Sequence, residues 1–182
     1  NLATLIQYAP VGTDLAADGR LTITGSLQGT LKAIDPNLKL VLEVALILSP
    51  RIEPGLSSLN ATATVANGEA TVDQLTANWG SAQIDMSARV PLDLLPELPV
   101  EIPRRGGPAV VKARLDGLDP SAIPGAPAGL SGRISFDDEV AARRPDIREP
   151  KGTVAFRDLQ LAFNGLTLEQ KAPSTLALNN GV

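Results

Sequence analysis

The chain has 182 residues, with 16 Lys and Arg against 20 Asp and Glu for a formal net charge of −4, and is long enough for one domain with a core of its own. It holds no Cys and no His, which excludes thiol and imidazole catalysis, haem ligation, the usual zinc sites and any disulfide. Its basic residues are scattered rather than gathered into a patch, so a nucleic-acid footprint is excluded too, and 15 Pro with 16 Gly argue against long helices.

Residues 1–10, NLATLIQYAP, read as one short helix on Leu2, Leu5 and Ile6, closed by Pro10. Everything after it reads as strand. In GRLTITGSLQG (19–29), Leu21, Ile23 and Leu27 alternate with Arg20, Thr22, Thr24 and Gln28. LKLVLEVALILSP (38–50) places Leu38, Leu40, Leu42, Val44, Leu46 and Leu48 on even positions, with Lys39 and Glu43 among the odd ones. A helix would spread that even set around its circumference, whereas a strand puts it on one face. The run is also too short for a membrane helix, which needs about 20 apolar residues.

Asn67-Gly68 is the dipeptide of a type I′ hairpin. A two-residue turn there pairs Ala66 with Glu69 and Val65 with Ala70, so that Leu59, Ala61, Ala63 and Val65 share a face with Ala70 and Val72. The apolar parity slips by one between Val72 and Leu75, which predicts a bulge at Asp73-Gln74. Beyond it, Leu75, Ala77 and Trp79 lead to a II′ turn at Gly80-Ser81, and Ala82, Ile84, Met86, Ala88 and Val90 continue the same face.

Residues 91–108 are Pro-rich and read as an extended crossing, with a sub-boundary of the fold placed there. A short strand on Val111, Ala113 and Leu115, a loop over 119–129, a strand on Leu130, Ile134 and Phe136, and a charged loop over 137–150 follow. Asn164-Gly165 then repeats the hairpin signal, pairing Phe163 with Leu166 and Leu161 with Leu168, with Leu159 on the same face. Asn180-Gly181 is a third such turn, and its return strand lies past the last residue. With Asn rather than Met at position 1, the chain reads as a single fragment, 1–182, of a longer repetitive protein.

Few residues are candidates for chemistry. Asp137-Asp138-Glu139 has the composition of a cation site, but such a run is ordinarily a solvated turn. Arg104-Arg105-Gly106-Gly107 is far short of a polybasic cluster for lipid phosphate and reads as a solvated loop. Asp158 on its strand is most simply one half of a cross-strand charge pair. No Ser has a His to activate it, and GGP at 106–108 lacks the Lys and helix of a phosphate loop. The expectation is a protein that is not an enzyme and holds neither cofactor nor metal.

The common apolar face is the remaining feature. Alternating strands ordinarily bury such a face in a sandwich core. Here one strand is unusually long, aromatics are 3% of the chain, and the hairpins repeat without a facing layer. A smooth strip of Leu, Val, Ile and Ala suits fluid acyl chains better than one rigid ligand.

Taken together, AADGRLTITGSLQGTL, LSSLNATATVANGEATVDQLTANWGSAQIDMSARVPL, LSGRISFDDEV and GTVAFRDLQLAFNGLTLEQ with STLALNNGV resemble the AsmA-like TamB family in their cadence of Gly-led strands and hairpins. The resemblance covers most of the chain and carries no catalytic signature. It implies an all-β fold, an elongated, curved, antiparallel-rich sheet folded over into a U-shaped β-taco groove, with at most the one short helix at the N-terminus. It further implies a periplasmic segment of an inner-membrane-anchored protein that bridges the envelope. Such a segment conducts phospholipid acyl chains between the inner and outer membranes. It is also linked to outer-membrane protein assembly, with a barrel assembly protein as partner. On this reading the groove is lined by Leu21, Ile23, Leu38, Leu40, Leu42, Val44, Leu46, Leu48, Val65, Val72, Leu75, Trp79, Ile84, Met86, Leu159, Leu161, Phe163, Leu166 and Leu168. The alternative is a β-sandwich or β-solenoid module that binds no lipid and serves protein interaction or adhesion.

Overall fold

Alternating apolar and polar residues between hairpin signals produce ten strands in a single antiparallel sheet in the computed structural model, which describes residues 16–30, 33–49, 52–94, 103, 106–142 and 151–179. The strands are β1 (Ala16–Gly29), β2 (Ile34–Ser49), β3 (Ile52–Ala66), β4 (Glu69–Trp79), β5 (Ala82–Pro91), β6 (Ala109–Leu118), β7 (Ser131–Ala142), β8 (Lys151–Phe163), β9 (Leu166–Glu169) and β10 (Ser174–Asn179). They lie in chain order from β1 to β8, and β9 and β10 share the far edge of β8. The result is an all-β fold, one open, curved sheet. The expected helix at 1–10 and the turn at Asn180-Gly181 lie outside the described residues.

The three described hairpins have the expected geometry. Asn67 and Gly68 have φ of 52° and 75°, and Asn164 and Gly165 have 48° and 81°, the doubly positive signature of a I′ turn. At Gly80-Ser81 only the glycine is positive, at 57°, as a II′ turn requires. Ala66 faces Glu69, Trp79 faces Ala82, and Phe163 faces Leu166. The register shift between Val72 and Leu75 is present as well. β5 and β6 pair directly from Gln83↔Asp116 to Arg89↔Val110, so the sheet is continuous across the Pro-rich segment.

Two expectations are corrected. The acidic triplet at 137–139 does not begin a loop: β7 runs through it to Ala142, paired on both sides. Lys112 and Arg157 on the neighbouring strands supply the opposite charges that let it remain extended. The alternation of β2 also does not hold to its end. The register against β1 shifts between Asp18 and Gly19, leaving Ala45 as an extra residue. Beside it on β3, Ser58 (φ 52°) is extra against β4.

These extra residues belong to one line across the sheet. β6 carries two residues, Asp116 and Gly117, between Leu115 and Leu118 where β7 has Ser135 alone. β8 carries Arg157 and Asp158 where β7 again has only Ser135. A bulge bends its strand and increases local twist, and four bulges in register make a crease. A bulge also frees backbone groups that need partners, and side chains supply them here. Asn60 Nδ2 donates to the Ser58 carbonyl (3.1 Å), Gly117 N–H donates to Ser135 Oγ (3.0 Å), and Ser81 Oγ donates to the Gly117 carbonyl (3.0 Å). Arg157 Nη2 donates to the Leu115 carbonyl (3.3 Å), and Gln170 Nε2 donates to the Phe156 carbonyl (3.1 Å). Ser135 is accordingly buried, at 3% exposure.

Two clusters of buried apolar side chains flank the crease on the other face. Val44, Leu59 and Ala77 form one cluster with Ile47, Leu56 and Ile84 against it. Ala82, Leu115 and Leu118 form the second, with Trp79, Ile134 and Phe136. Substantial contacts between strands join ladder neighbours only, with the short turn Pro120–Ala122 packed on β7, so no second sheet lies over this core among the described residues.

Candidate functional site

The register assembles the apolar face into rows that cross the whole sheet. One row runs Leu21, Leu42, Ala61, Leu75, Met86, Ala113, Asp138, Val154 and Leu176. The next runs Ile23, Leu40, Ala63, Val72, Ala88, Val111, Val140, Gly152 and Leu178. Leu38 and Val65 belong to a third, with Ala70 and Val90. Val44, Ile84 and Trp79 lie in the two clusters at the crease. Leu159 pairs with Ile134, and Leu161, Phe163, Leu166 and Leu168 form the hairpin at the far edge.

The residues expected to share one face are therefore brought together, except at the end of β2. Ile47, not Leu46, packs with Val44, paired with Ala17 and Leu56. Leu46 and Leu48 are turned to the opposite face, where they are 42% and 50% exposed. The extra residue Ala45 exchanges the faces of everything beyond it.

The apolar face is half-covered in the middle of the sheet and open toward both edges. Ile23, Leu27, Leu166, Leu168 and Leu176 are all more than half exposed. Asp138 is the exception to its composition. This carboxylate lies between Ala113 and Val154 in the first row, and its Oδ1 is buried without a hydrogen-bond partner. Burial pushes its pKa above the ordinary carboxylate range. Its flanking residues Asp137 and Glu139 point to the other face, so the triplet is not a cation site. Among the described residues no three potential metal ligands converge.

The opposite face is polar and self-neutralising. Lys112 pairs with Glu139 (3.2 Å), and Asp158 makes its cross-strand pair with Arg133 (3.5 Å). Arg157 Nη2 meets Asp116 Oδ1 at 2.7 Å, and its Nε lies 2.8 Å from Asp137 Oδ2 as an ion pair without hydrogen-bond alignment. Asp116 also accepts from Arg114 Nε at 2.8 Å. Its carboxyl is held below the usual range, first by the Arg114 hydrogen bond and then by that of Arg157. Depressions on this face are shallow, such as one of about 340 Å³ between Ser87, Lys112, Asp137 and Thr153. This one brings Lys112 and Glu139, which pair with each other, beside Asp137, which pairs with Arg157. Arg104 and Arg105 lie outside the described residues.

No protein-family model, curated protein or solved structure matches the chain. No helix among the described residues is long and apolar enough to cross a membrane.

Sequence reasoning missed Asp138 and Ile47 on this face, and it also left out Leu56, Leu118, Val140, Val154, Leu176 and Leu178. A usable signal existed for Asp138. Continuing the parity of Ile134 and Phe136 by two residues lands on it. No comparable signal existed for Ile47, because the even-numbered leucines run on past the bulge without a visible slip.

Proposed function

We propose that this chain is a lipid-conducting segment of an envelope protein of the AsmA-like type, its apolar face receiving phospholipid acyl chains. The observation that carries the reading is the set of apolar rows crossing the entire sheet with no second sheet over them among the described residues. A sandwich core would be covered, and a rigid ligand would need a pocket with convergent polar groups. Among the described residues this face has neither a covering sheet nor such a convergence of polar groups. Its aliphatic side chains accept a chain in many positions along each row, which suits a fluid cargo. The resemblance supports a periplasmic location, an anchor in the inner membrane, and a link to outer-membrane assembly through a barrel protein. No catalytic role and no cofactor belong to this function.

The test is native mass spectrometry of the purified chain, together with uptake of labelled phospholipid. Co-purifying phospholipid is expected. Leu42→Asp puts a charge in a row at a half-buried side chain on the rim of the Val44 cluster, where the carboxylate still reaches water, so the protein loses some stability but stays folded and loses most of its lipid. Glu43→Lys, on the polar face, keeps its lipid. Val44 is unsuitable for this comparison. At 3% exposure, a charge there is buried without a partner and costs several kcal/mol of a total of about 5–15. Absence of lipid from the wild-type chain, with no uptake, defeats the reading, as does a Leu42→Asp chain that stays folded and binds lipid normally.

A further inference from the structure

We propose that Asp138 is a titratable gate in the acyl path, so that cargo covers its row only as the carboxyl takes up a proton. The inference rests on the lipid-conducting reading and adds a regulation to the same surface. Among the described residues, every strand neighbour that shares a face with Asp138 is apolar. Ala113 stands opposite on β6 and Val154 opposite on β8, and Phe136 and Val140 precede and follow it on β7. The nearby charged groups Lys112, Arg114, Asp137, Glu139 and Arg157 are on the polar face, where salt bridges hold each of them. Among the described residues, no cation faces Asp138 from the strands packed against it.

In the uncovered sheet the side chain keeps part of its exposure to water, which holds a charge at a moderate cost. Its Oδ1 is already shut off from solvent without a donor, and burial already raises its pKa. An acyl chain laid along the row removes the remaining water and offers no hydrogen bond. The ionised form then loses its last solvation, whereas the protonated form loses much less. Binding and protonation are therefore linked, and the linkage is reciprocal. Cargo raises the carboxyl pKa, and protons raise the affinity for cargo. Each further unit of pKa elevation on covering corresponds to about a tenfold change in affinity across the titration. The carboxyl is already elevated without cargo, so the change falls in a window above the ordinary Asp value of about 4.

The measurement is binding of phosphatidylcholine carrying a pyrene-labelled acyl chain, between about pH 4 and pH 8, a span in which the headgroup does not titrate. Wild type is compared with Asp138→Asn, Asp138→Leu and Glu139→Gln, each monitored by circular dichroism at every pH. Wild type and Glu139→Gln should bind several-fold to about tenfold more tightly at the acid end. Asp138→Asn and Asp138→Leu should bind at the acid-end affinity throughout, and either variant suffices if the other fails to fold. The proposal is overturned if wild type binds equally across the range. It is overturned too if both Asp138 variants keep the wild-type slope, or if affinity rises with pH, which would indicate pairing of the carboxylate with the choline cation. If no variant binds the probe at any pH, the lipid-conducting reading itself fails, and the gate with it.

Discussion

Arg157 shows how one side chain holds a crease. It sits in the β8 bulge, donates to the carbonyl freed by the β6 bulge, and lies between the carboxylates of Asp116 and Asp137. Its planar fork reaches several acceptors at once, which a lysine ammonium does not. Arg157→Ala should lower stability at pH 7 by about 1 kcal/mol, discounted because the pairs keep contact with solvent, and Arg157→Lys should restore less than half of the loss. The folded-state pKa of Asp116 is depressed, so its stabilisation is present above the unfolded value of about 3.9 and is lost as pH falls through the lower folded value. The penalty of Arg157→Ala, read by urea titration, should therefore shrink below about pH 4. A penalty that persists unchanged at low pH would mean that Arg157 acts through packing alone. Asp138 carries the opposite sign. With a raised folded-state pKa, it weakens the fold as pH rises above the unfolded value.

At the scale of elements, the adjoining bulges of β2 and β3 decide which residues enter the core. Ala45 and Ser58 each add one position, and Ile47 and Leu56 consequently meet the cluster around Val44. Ile47→Asp should cost several kcal/mol and lower the melting temperature sharply, because the charge enters an apolar cluster. Leu46→Asp, one residue away on the exposed face, should stay within about 0.5 kcal/mol of wild type. The reverse order in thermal denaturation would place the bulge elsewhere. Glycine has a related part in the strands. Gly25 (φ 140°) and Gly132 (φ 148°) would each direct a Cβ onto the carbonyl oxygen of the next strand, at Asn37 and Gln160. Close strand approach at these two points requires the absence of a side chain. Gln170 finishes the far edge. Its backbone N–H donates to the Leu159 carbonyl and its side chain to the Phe156 carbonyl, which covers the stretch of β8 between β9 and β10.

The molecule as a whole has a stable middle and open ends. Leu59, Ala77, Ala82, Leu115 and Leu118 are buried in the central strands, whereas Ile23 and Leu27 of β1, Leu166 and Leu168 of β9 and Leu176 of β10 are exposed. Local stability follows buried contacts, so amide exchange should be slowest in β4 to β7 and fast in β1, β9 and β10, as hydrogen-exchange mass spectrometry would read it. Uniform protection from β1 to β10 would indicate that the ends are covered in solution, by a second copy through the sheet edges or by bound lipid. Added phospholipid should slow exchange along the apolar rows, with the largest change toward the ends, where the face is most open.

The strands, the three described hairpins and the slip at Asp73-Gln74 were legible in the sequence because each is a local property. Alternation has a period of two, an Asn-Gly turn carries its own conformational preference, and a bulge inside an apolar run shows as a slip in parity. The bulge at Ala45 was not legible, because Leu46 and Leu48 continue the even pattern and mask the exchange of faces. An extra residue is defined only against the neighbouring strand, and that pairing is long-range. The same holds for Asp137-Asp138-Glu139. Alone the triplet has the composition of a turn, but between Lys112 on β6 and Arg157 on β8 its two outer charges are neutralised and the strand continues. Only the tertiary structure therefore aligns the four bulges into a crease, carries Asp138 onto the apolar face, and leaves the described sheet without a covering layer. Each of these is a relation between strands rather than a property of one, and a linear pattern records only the strand.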